Sequence, residues 1–503
     1  MFSFPTRKVL IGIIAPLFFG VLGFVTIGYH PGAEDDGVYL AAVKSDVNPS
    51  LYPYDQVFFK AQLDATVFDK WLAFFVKVTG LSVQSSAFLW QCLAVFLIIF
   101  SASRILRILF DDVPAQLGGM ALLATMFALP VTGTALYIVD QYLHPRTLAT
   151  VLVLFAVSRI LSARVWQAVP LVIAAIALHP LMGAFGASFC CILSVQVALP
   201  KRATANVILD NAEVETAFPA LLLLPGGWVF TQQSQEWVAL LKTRHWSQLY
   251  QWTWYEWLGV IAPMVLYIII ARVATKNGQT KLGQLATALA IYTVFQQLLA
   301  MVILSPIAPS TLATLEPMRY LHLDYVFLML IGGAYIGRYL LKTNVVRWAS
   351  FLVLTSGGMF LSQRQLFAGT EHIEFPRSQP ANAWVQAFDW IKDNVPQDAH
   401  FALDPGYMAL PGEDYHSFRA LAERSALADA IKDPSVVTKV PQLYGAWERE
   451  IQAQQGWQNF TVNDFKRLNS EFGVNWVLVA NTRSSGLRCP WHNDTVSVCA
   501  IDK

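Results

Sequence analysis

Three consecutive carboxylates, Glu34, Asp35 and Asp36, follow directly on the first apolar run of the chain, residues 9–29. Adjacent carboxylates repel one another, so without a compensating cation one of them should keep its proton to a higher pH. A carboxyl group poised in this way is suited to act as a general base. The alternative is that these acids have no catalytic role and lie at the N-terminus of a helix, where the helix dipole favours negative charge.

Further ionisable residues stand at the ends of later apolar runs. Those that could take part in the same chemistry are Asp140, His144, Arg146, His179, Glu316 and Arg319. Ionisable groups inside a membrane are costly and therefore indicate function, but at the ends of a span the cost is small. Taken singly, Asp140 is explained equally well as a solvated loop residue, and a histidine before a proline is more often a packed or capping residue. The functional interpretation therefore depends on their convergence on one face of the membrane.

The composition is that of a protein that crosses the bilayer many times. Of the 503 residues, 55% are hydrophobic and only 14% are charged, whereas an average soluble domain carries about 25% charged residues. The formal net charge is +1. This value argues against a nucleic-acid partner, because nucleic-acid-binding domains usually carry a basic patch.

Apolar runs of about the length of a membrane span recur along the chain. They cover residues 9–29, 86–109, 114–138, 146–163, 166–180, 182–199, 257–272, 283–305, 322–341 and 346–362. Basic residues flank alternate ends of these runs, and the excess of Lys and Arg in cytoplasmic loops then places the N-terminus in the cytoplasm. The short, Pro-containing segment 217–230 must also cross for these charges to fall on one side. We therefore expect an α-helical polytopic membrane protein with about eleven spans, and with residues 34–36 and the C-terminus outside the cytoplasm.

From residue 363 onward the composition changes to that of a soluble domain. The sequence predicts helices for FDWIKDNVP and NDFKRLNSEFG, strands for HFALDP and VNWVLVA, and a loop followed by a helix for DYHSFRALAERSALADAI. This alternation predicts a small extracytoplasmic α/β domain of residues 363–503 after a transmembrane domain of residues 1–362, whose first extracytoplasmic loop is 30–85. Cys489 and Cys499 flank a predicted hairpin, where the sequence is compatible with a disulfide or with two free thiols.

The arrangement resembles that of the GT-C superfamily of integral-membrane glycosyltransferases, in a bacterial branch. The shared features are the many spans, the acidic EDD motif just after the first span, a following segment VYLAAVKSDVNPSLYPYDQVFF that begins as an apparent amphipathic helix at the membrane surface, and the soluble C-terminal domain. The resemblance implies a multi-pass protein of the cytoplasmic (inner) membrane. It also implies a sugar donor linked to polyprenyl phosphate and an inverting displacement at the anomeric carbon.

The resemblance also implies roles for individual residues. Asp35 or Asp36 is the base toward the acceptor, with a preference for Asp36, and Glu34 is the less favoured candidate. Asp140 is the acid of the second loop, and Arg319 pairs with the donor phosphate, because a guanidinium group can reach two phosphate oxygens. The other substrate-binding residues of the same cavity are His144, Arg146, His179 and Glu316.

The cofactor and the partners are less defined. The three acids are contiguous and do not form a DxD motif, so a metal site is unsupported. A divalent metal is nevertheless left open, because Asp140 and Glu316 could contribute oxygen ligands. The implied partners are the polyprenyl-phosphate-linked donor, an acceptor that is a glycan, a lipid or a protein, and the lipid bilayer. The alternatives are a polytopic transporter and a non-catalytic membrane assembly protein that keeps the same architecture.

Overall fold

The computed structural model describes residues 10–198, 233–481 and 486–501. The described chain is mostly helical, with a small sheet near its C-terminal end. Its first part begins with a π-helical turn, Leu10–Ile14. The helices that follow are α1 (Ala15–Ile27), α2 (Asp36–Val47), α3 (Val57–Leu63), α4 (Phe68–Thr79), α5 (Val83–Leu109), α6 (Val113–Thr125), α7 (Pro145–Leu161), α8 (Val169–Leu178), α9 (Pro180–Ala198), α10 (Gln235–Lys242), α11 (Trp254–Lys276), α12 (Thr280–Ile303), α13 (Leu321–Tyr335) and α14 (Val345–Leu366).

Among the described residues, six segments are long and apolar enough to cross a membrane, and three shorter helices are also apolar. The six are α5, α9, α11, α12, α14 and the segment Ser310–Leu341, which contains α13. All of them fall on predicted spans. The predicted crossing at 217–230 lies outside the described residues, so the number of eleven spans stays a prediction.

The prediction of one continuous span over 114–138 is wrong. Helix α6 ends at Thr125, and the chain then forms an antiparallel hairpin of two short strands, β1 (Pro130–Val131) and β2 (Leu136–Tyr137). Its turn contains Gly133 with a φ of 61°, in the left-handed region that favours glycine. Hydropathy could not separate the two elements, because a short apolar run is equally typical of a strand and of a buried helix.

Helix α2, which follows the acidic motif, is buried, and this corrects the expectation of an amphipathic helix at the membrane surface. Every residue from Tyr39 to Ser45 is buried. Lys44, within this stretch, donates to the carbonyl of Ala420 (2.7 Å) and forms an ion pair with Glu423 (2.7 Å). The local pattern could not reveal this burial, because Ala420 lies 376 residues further along the chain.

The C-terminal region is a mixed sheet of five strands with helices around it. The helices are α15 (Ala383–Asn394), α16 (Phe418–Ala422), α17 (Asp433–Val437), α18 (Tyr444–Ala453) and α19 (Val462–Phe472). The strands are β3 (His400–Ala402), β4 (Ser425–Ala426), β5 (Trp476–Ala480), β6 (Arg488–His492) and β7 (Val496–Ala500). Their order is β4-β3-β5-β7-β6, parallel from β4 to β5 and antiparallel from β5 to β6.

Most local predictions for this region agree with the structure. Helices α15 and α19 and strands β3 and β5 lie where the pattern places them, and α19 ends at Gly473 with a φ of 73°. Cys489 and Cys499 form a disulfide across the β6–β7 hairpin. The loop and helix predicted for DYHSFRALAERSALADAI are present, but the helix is short (α16), and Ser425 and Ala426 form β4, which pairs with β3 and was not predicted.

A buried cluster of charges, the Arg419 knot, joins the first loop to the C-terminal region. Arg419 Nε donates to Asp55 (2.5 Å), and its two terminal nitrogens donate to the two carboxylate oxygens of Asp433 (2.7 and 3.0 Å). Asp55 also accepts the backbone N–H of Ala426 (3.0 Å). Because Asp433 is the first residue of α17, the knot fixes α17 against the first loop, where it packs on α3.

Candidate functional site

A cavity of about 1020 Å³ lies between one end of the helix bundle and the C-terminal region. Its walls come from the start of α2, the β1–β2 hairpin, the start of α7, the turn between α8 and α9, the start of α11, the segment before α13 and the residues around α17. Elements far apart in sequence therefore bring their polar ends to one place. The predicted residues that line the cavity are Glu34, Asp35, Asp140, His144, Arg146, His179, Glu316 and Arg319.

Asp35 is the residue of the acidic motif that presents an ionised carboxylate to the cavity. It is the N-cap residue of α2, its side chain is 39% exposed, and its Oδ1 lies 3.4 Å from Nζ of Lys432. Burial by itself would raise the pKa of Asp35, but the positive charges of Lys432, Arg319 and Lys439 bring that pKa below its ordinary value. Asp35 therefore carries its negative charge at any pH near neutrality, which leaves it free to accept a proton but makes it a weaker base than the carboxyl group of raised pKa expected from the sequence.

Asp36 does not line the cavity, so the preference for it as the residue facing the cavity is wrong. Its side chain is 3% exposed, and Oδ2 accepts the backbone N–H of Gly32 at 2.7 Å. Successive residues of a helix point about 100° apart, so two adjacent aspartates at the start of α2 face different surroundings. Burial raises the pKa of Asp36 to about 7, and the charges of Asp140 and Asp35 add to the shift.

Glu34 lies in the cavity wall in a strained backbone conformation. Its φ is 48°, and its backbone N–H donates to the carbonyl of Tyr415 (2.9 Å). Burial raises the pKa of the Glu34 carboxyl group. Two further cavity residues, Ala135 and Glu316, also have a positive φ, of 54° and 46°. Residues other than glycine are uncommon in this region, and they tend to cluster at functional sites.

One side of the cavity, the paired wall, consists of Asp140, Arg146, His144 and His179. Arg146 donates to Oδ1 of Asp140 at 2.5 Å, and each of these side chains is 2% exposed. His144 caps α7 by accepting the backbone N–H of Arg146 at Nδ1 (2.9 Å). His179 accepts the backbone N–H of Met182 (3.3 Å), and the two imidazole rings lie 5.8 Å apart. Burial, reinforced by Arg146, keeps the pKa of His144 well below its usual value, so this ring is neutral.

A second group of cavity residues, the cationic wall, consists of Glu316, Arg319, Lys439 and Arg244. Nε of Arg319 lies 2.9 Å from Oε2 of Glu316, and Nζ of Lys439 lies 3.8 Å from the same oxygen. The guanidinium group of Arg244 lies 5.7 Å from the ring centre of Trp246, and within the described residues it forms no ion pair with a carboxylate. The wall therefore contains three cations and one carboxylate, which contacts two of them, so that the wall is positively charged.

The sequence interpretation missed three of the cavity cations: Arg244, Lys432 and Lys439. The two lysines flank α17 in the C-terminal region, where isolated lysines are typical of a solvated surface. No local pattern distinguishes them from other surface lysines. They become site residues because the Arg419 knot holds α17 against the membrane part of the chain.

Much of the remaining lining is apolar or aromatic. It includes Leu129, Val131, Leu136, Leu178, Leu181, Trp246 and Tyr255. Beside the cavity, the start of α11 exposes the aromatic residues Trp254 (77% exposed) and Tyr255 (59%), a pattern typical of a membrane interface. The cavity can therefore hold a molecule with an anionic group, a polar part and an apolar part.

The carboxylates suggested as metal ligands from sequence are engaged with cations. Asp140 is paired with Arg146, and Glu316 with Arg319 and Lys439. Among the residues described in the three ranges above, no group of three or more His, Cys, Asp and Glu side chains is arranged to hold a metal ion.

Neither a known family nor a curated protein matches the sequence. Among solved structures, the chain is similar to the crystal structure of the oligosaccharyltransferase of Archaeoglobus fulgidus in its apo form. The two chains are 9% identical, and the alignment covers 94% of this chain and 70% of that one, with a TM-score of 0.44. A likeness at this level assigns neither a fold family nor an activity.

Proposed function

We propose that the protein is a membrane glycosyltransferase that moves a sugar from a polyprenyl-phosphate donor to an acceptor on the extracytoplasmic face. The observation that carries this proposal is the combination in one cavity of an ionised carboxylate, Asp35, and a positively charged wall. A displacement reaction at a sugar carbon needs both. The carboxylate takes the proton of the acceptor, and the cations stabilise the phosphate that leaves.

The cationic wall is suited to the phosphate group of the donor. Arg244, Arg319 and Lys439 bring three positive charges to a place where Glu316 supplies one negative charge. A phosphate group can take up the excess charge and accept hydrogen bonds from the planar guanidinium groups. Arg319 thereby keeps the role that the sequence resemblance implied for it.

The apolar lining is suited to the lipid part of the donor. The β1–β2 hairpin and the α8–α9 turn contribute apolar residues to the cavity at the ends of apolar helices, of which α9 is long enough to span a membrane. A polyprenyl chain can therefore stay in the bilayer while its headgroup enters the cavity. The acceptor then reaches the cavity from the side of the C-terminal region.

The reaction is a direct displacement at the anomeric carbon. A hydroxyl or amide of the acceptor forms the new bond to this carbon and passes its proton to the carboxylate of Asp35. The bond from the anomeric carbon to the phosphate oxygen breaks, and the phosphate leaves with the electron pair. Attack from the face opposite the phosphate inverts the configuration of the sugar carbon.

The experiment is a transfer assay with the full chain in lipid nanodiscs and polyprenyl-phosphate sugars as donors. Asp35→Asn should lower kcat/KM by roughly 10²- to 10⁴-fold, the usual contribution of a general base. Asp36→Asn is the matched control: it removes a neighbouring carboxyl that does not line the cavity, and the amide oxygen can still accept the N–H of Gly32. Activity of Asp35→Asn equal to that of Asp36→Asn would exclude the base role of Asp35. Donor binding without transfer in the parent would favour a transporter or an assembly protein.

A further inference from the structure

The two histidines of the paired wall have their ring protons fixed by the backbone. Nδ1 of His144 accepts the N–H of Arg146, and Nδ1 of His179 accepts the N–H of Met182. A nitrogen that accepts a hydrogen bond carries no proton, so each neutral ring has its proton on Nε2. Both rings are therefore hydrogen-bond donors on the edge away from the helix that they cap.

These two donors are unused in the part of the chain that the structure describes. Within the described residues neither Nε2 atom has a hydrogen-bond partner, although His144 is 2% exposed and both residues line the cavity. The rings are 5.8 Å apart and inclined by 29°. The donors of two such adjacent rings can serve two oxygen atoms of one bound molecule.

The ion pair beside them is also incompletely bonded. Oδ2 of Asp140, and Nε and Nη1 of Arg146, are buried without a hydrogen-bond partner among the residues that the structure describes. Buried polar groups in folded proteins are nearly always hydrogen-bonded, so these atoms call for a partner from outside the chain. The paired wall thus offers both an acceptor and several donors. Its formal charge is zero, because Asp140 and Arg146 neutralise each other and the rings are neutral.

We propose that Asp140, His144, Arg146 and His179 form the subsite for the transferred sugar, and that this sugar is uncharged and presents neighbouring hydroxyl groups. This inference rests on the proposed function. A hydroxyl group both donates and accepts, so a pair of them can satisfy the acceptor on Asp140 and the donors on the other three residues. A uronic acid or an amino sugar with a free ammonium group would bring a charge to a wall that has none to offset it. The phosphate then lies against the cationic wall.

The test uses the two amide replacements of His144, because they separate its two possible roles. In His144→Asn the amide oxygen can take over the cap of α7, since asparagine is among the best N-cap residues, but the donor at Nε2 is lost. In His144→Gln the amide reaches the position of Nε2, and the cap is lost. The ligands are polyprenyl phosphate without a sugar and polyprenyl phosphate that carries an uncharged hexose, a uronic acid or an amino sugar.

We expect the parent to bind the hexose-linked lipid more tightly than the two charged-sugar lipids. His144→Asn should weaken binding of the hexose-linked lipid by roughly tenfold, the value of one hydrogen bond, and His179→Asn should do the same. Polyprenyl phosphate without a sugar should bind both variants as it binds the parent. His144→Gln should recover hexose binding relative to His144→Asn, at a lower melting temperature.

Each contrary result has a separate meaning. If His144→Asn and His179→Asn bind the hexose-linked lipid as the parent does, the sugar subsite is wrong while the proposed function stands. If the parent binds the lipid with a uronic acid or an amino sugar more tightly than the lipid with a hexose, the claim of an uncharged sugar is overturned. If the parent binds no polyprenyl phosphate, with or without a sugar, the proposed function fails and the subsite falls with it.

Discussion

Two buried arginines, Arg419 and Arg146, differ in how completely their guanidinium groups are bonded. Arg419 uses all three nitrogens, which donate to Asp55, to Asp433 and to the backbone carbonyl of Ala426. Arg146 donates only from Nη2, to Asp140, and its other two nitrogens are buried without a partner within the described residues. Arg419 lies outside the large cavity, and Arg146 lines it.

The difference separates a structural cluster from a binding site. An unpaired buried donor costs about 1–3 kcal/mol, so unpaired donors in a cavity wall indicate a place where a second molecule can supply the missing partner. The guanidinium group of Arg419 is fully bonded, and it joins the first loop to the C-terminal region. The paired wall is incomplete and is arranged for a ligand. Removing the two arginines should therefore affect different properties of the protein.

The largest expected effect is a loss in the free energy of unfolding when the arginine of the knot is removed. Arg419→Met would leave the carboxylates of Asp55 and Asp433 buried without their cation, and should lower the free energy of unfolding by about 3–5 kcal/mol. Urea unfolding of the purified full chain in detergent measures this loss. Arg449→Met is the control, at an exposed position on α18 where the guanidinium group lies 5.0 Å from the ring centre of Phe472, with an expected change of about 1 kcal/mol or less. Similar losses in the two variants would contradict the structural role of the knot.

A second buried cluster of charges extends the comparison through its pH dependence. Nδ1 of His416 lies 2.9 Å from the carbonyl oxygen of Glu413, and Nε2 lies 3.2 Å from the carboxylate of Glu374, which also binds His30 (2.8 Å). Both partners of His416 are acceptors, so both ring nitrogens carry protons. Although burial opposes the charge, the Glu374 carboxylate raises the pKa of His416 to about 9.

This raised pKa predicts a loss of stability in alkali. The contribution of His416 is fully present below its unfolded pKa of about 6.5. It falls as the pH rises toward 9 and is absent above that, a change of about 3 kcal/mol. His416→Gln does not titrate, so its unfolding free energy should decline less than that of the parent between pH 6.5 and 9.5. Parallel curves for the two proteins would show that His416 is not the titrating group.

The smallest effects are expected when each arginine is replaced with lysine. These replacements best distinguish the structural role of Arg419 from the ligand-binding role of Arg146. Arg419→Lys keeps the charge but loses the planar fork, and should lower the unfolding free energy by about 1–2 kcal/mol with unchanged ligand affinity. Arg146→Lys keeps its ion pair with Asp140, and should change stability by less than about 1 kcal/mol while weakening binding of the sugar-linked lipid roughly fivefold. Unfolding and lipid-binding measurements on both variants provide the check. An equal loss of stability in both would remove the distinction between knot and wall.

Local patterns predicted the elements whose residues interact with near neighbours. The apolar runs at 86–109 and 283–305 are helices because a helix satisfies its own backbone hydrogen bonds, and α19 ends at a glycine for the same local reason. The pattern failed at the β1–β2 hairpin and at β4. In both places the outcome depends on a pairing partner, which hydropathy does not encode.

The sequence by itself determined that the chain is an apolar helical protein with an acidic motif after its first helix, because composition and periodicity are local properties. Only the tertiary structure decided which acid faces the cavity. The turn of α2 directs Asp35 toward Lys432 and Asp36 toward the backbone of Gly32. The tertiary structure also decided that two lysines of the C-terminal region belong to the site. Their place in the cavity depends on contacts between segments about 400 residues apart. Asp35 and Lys432 become partners only when the chain has folded.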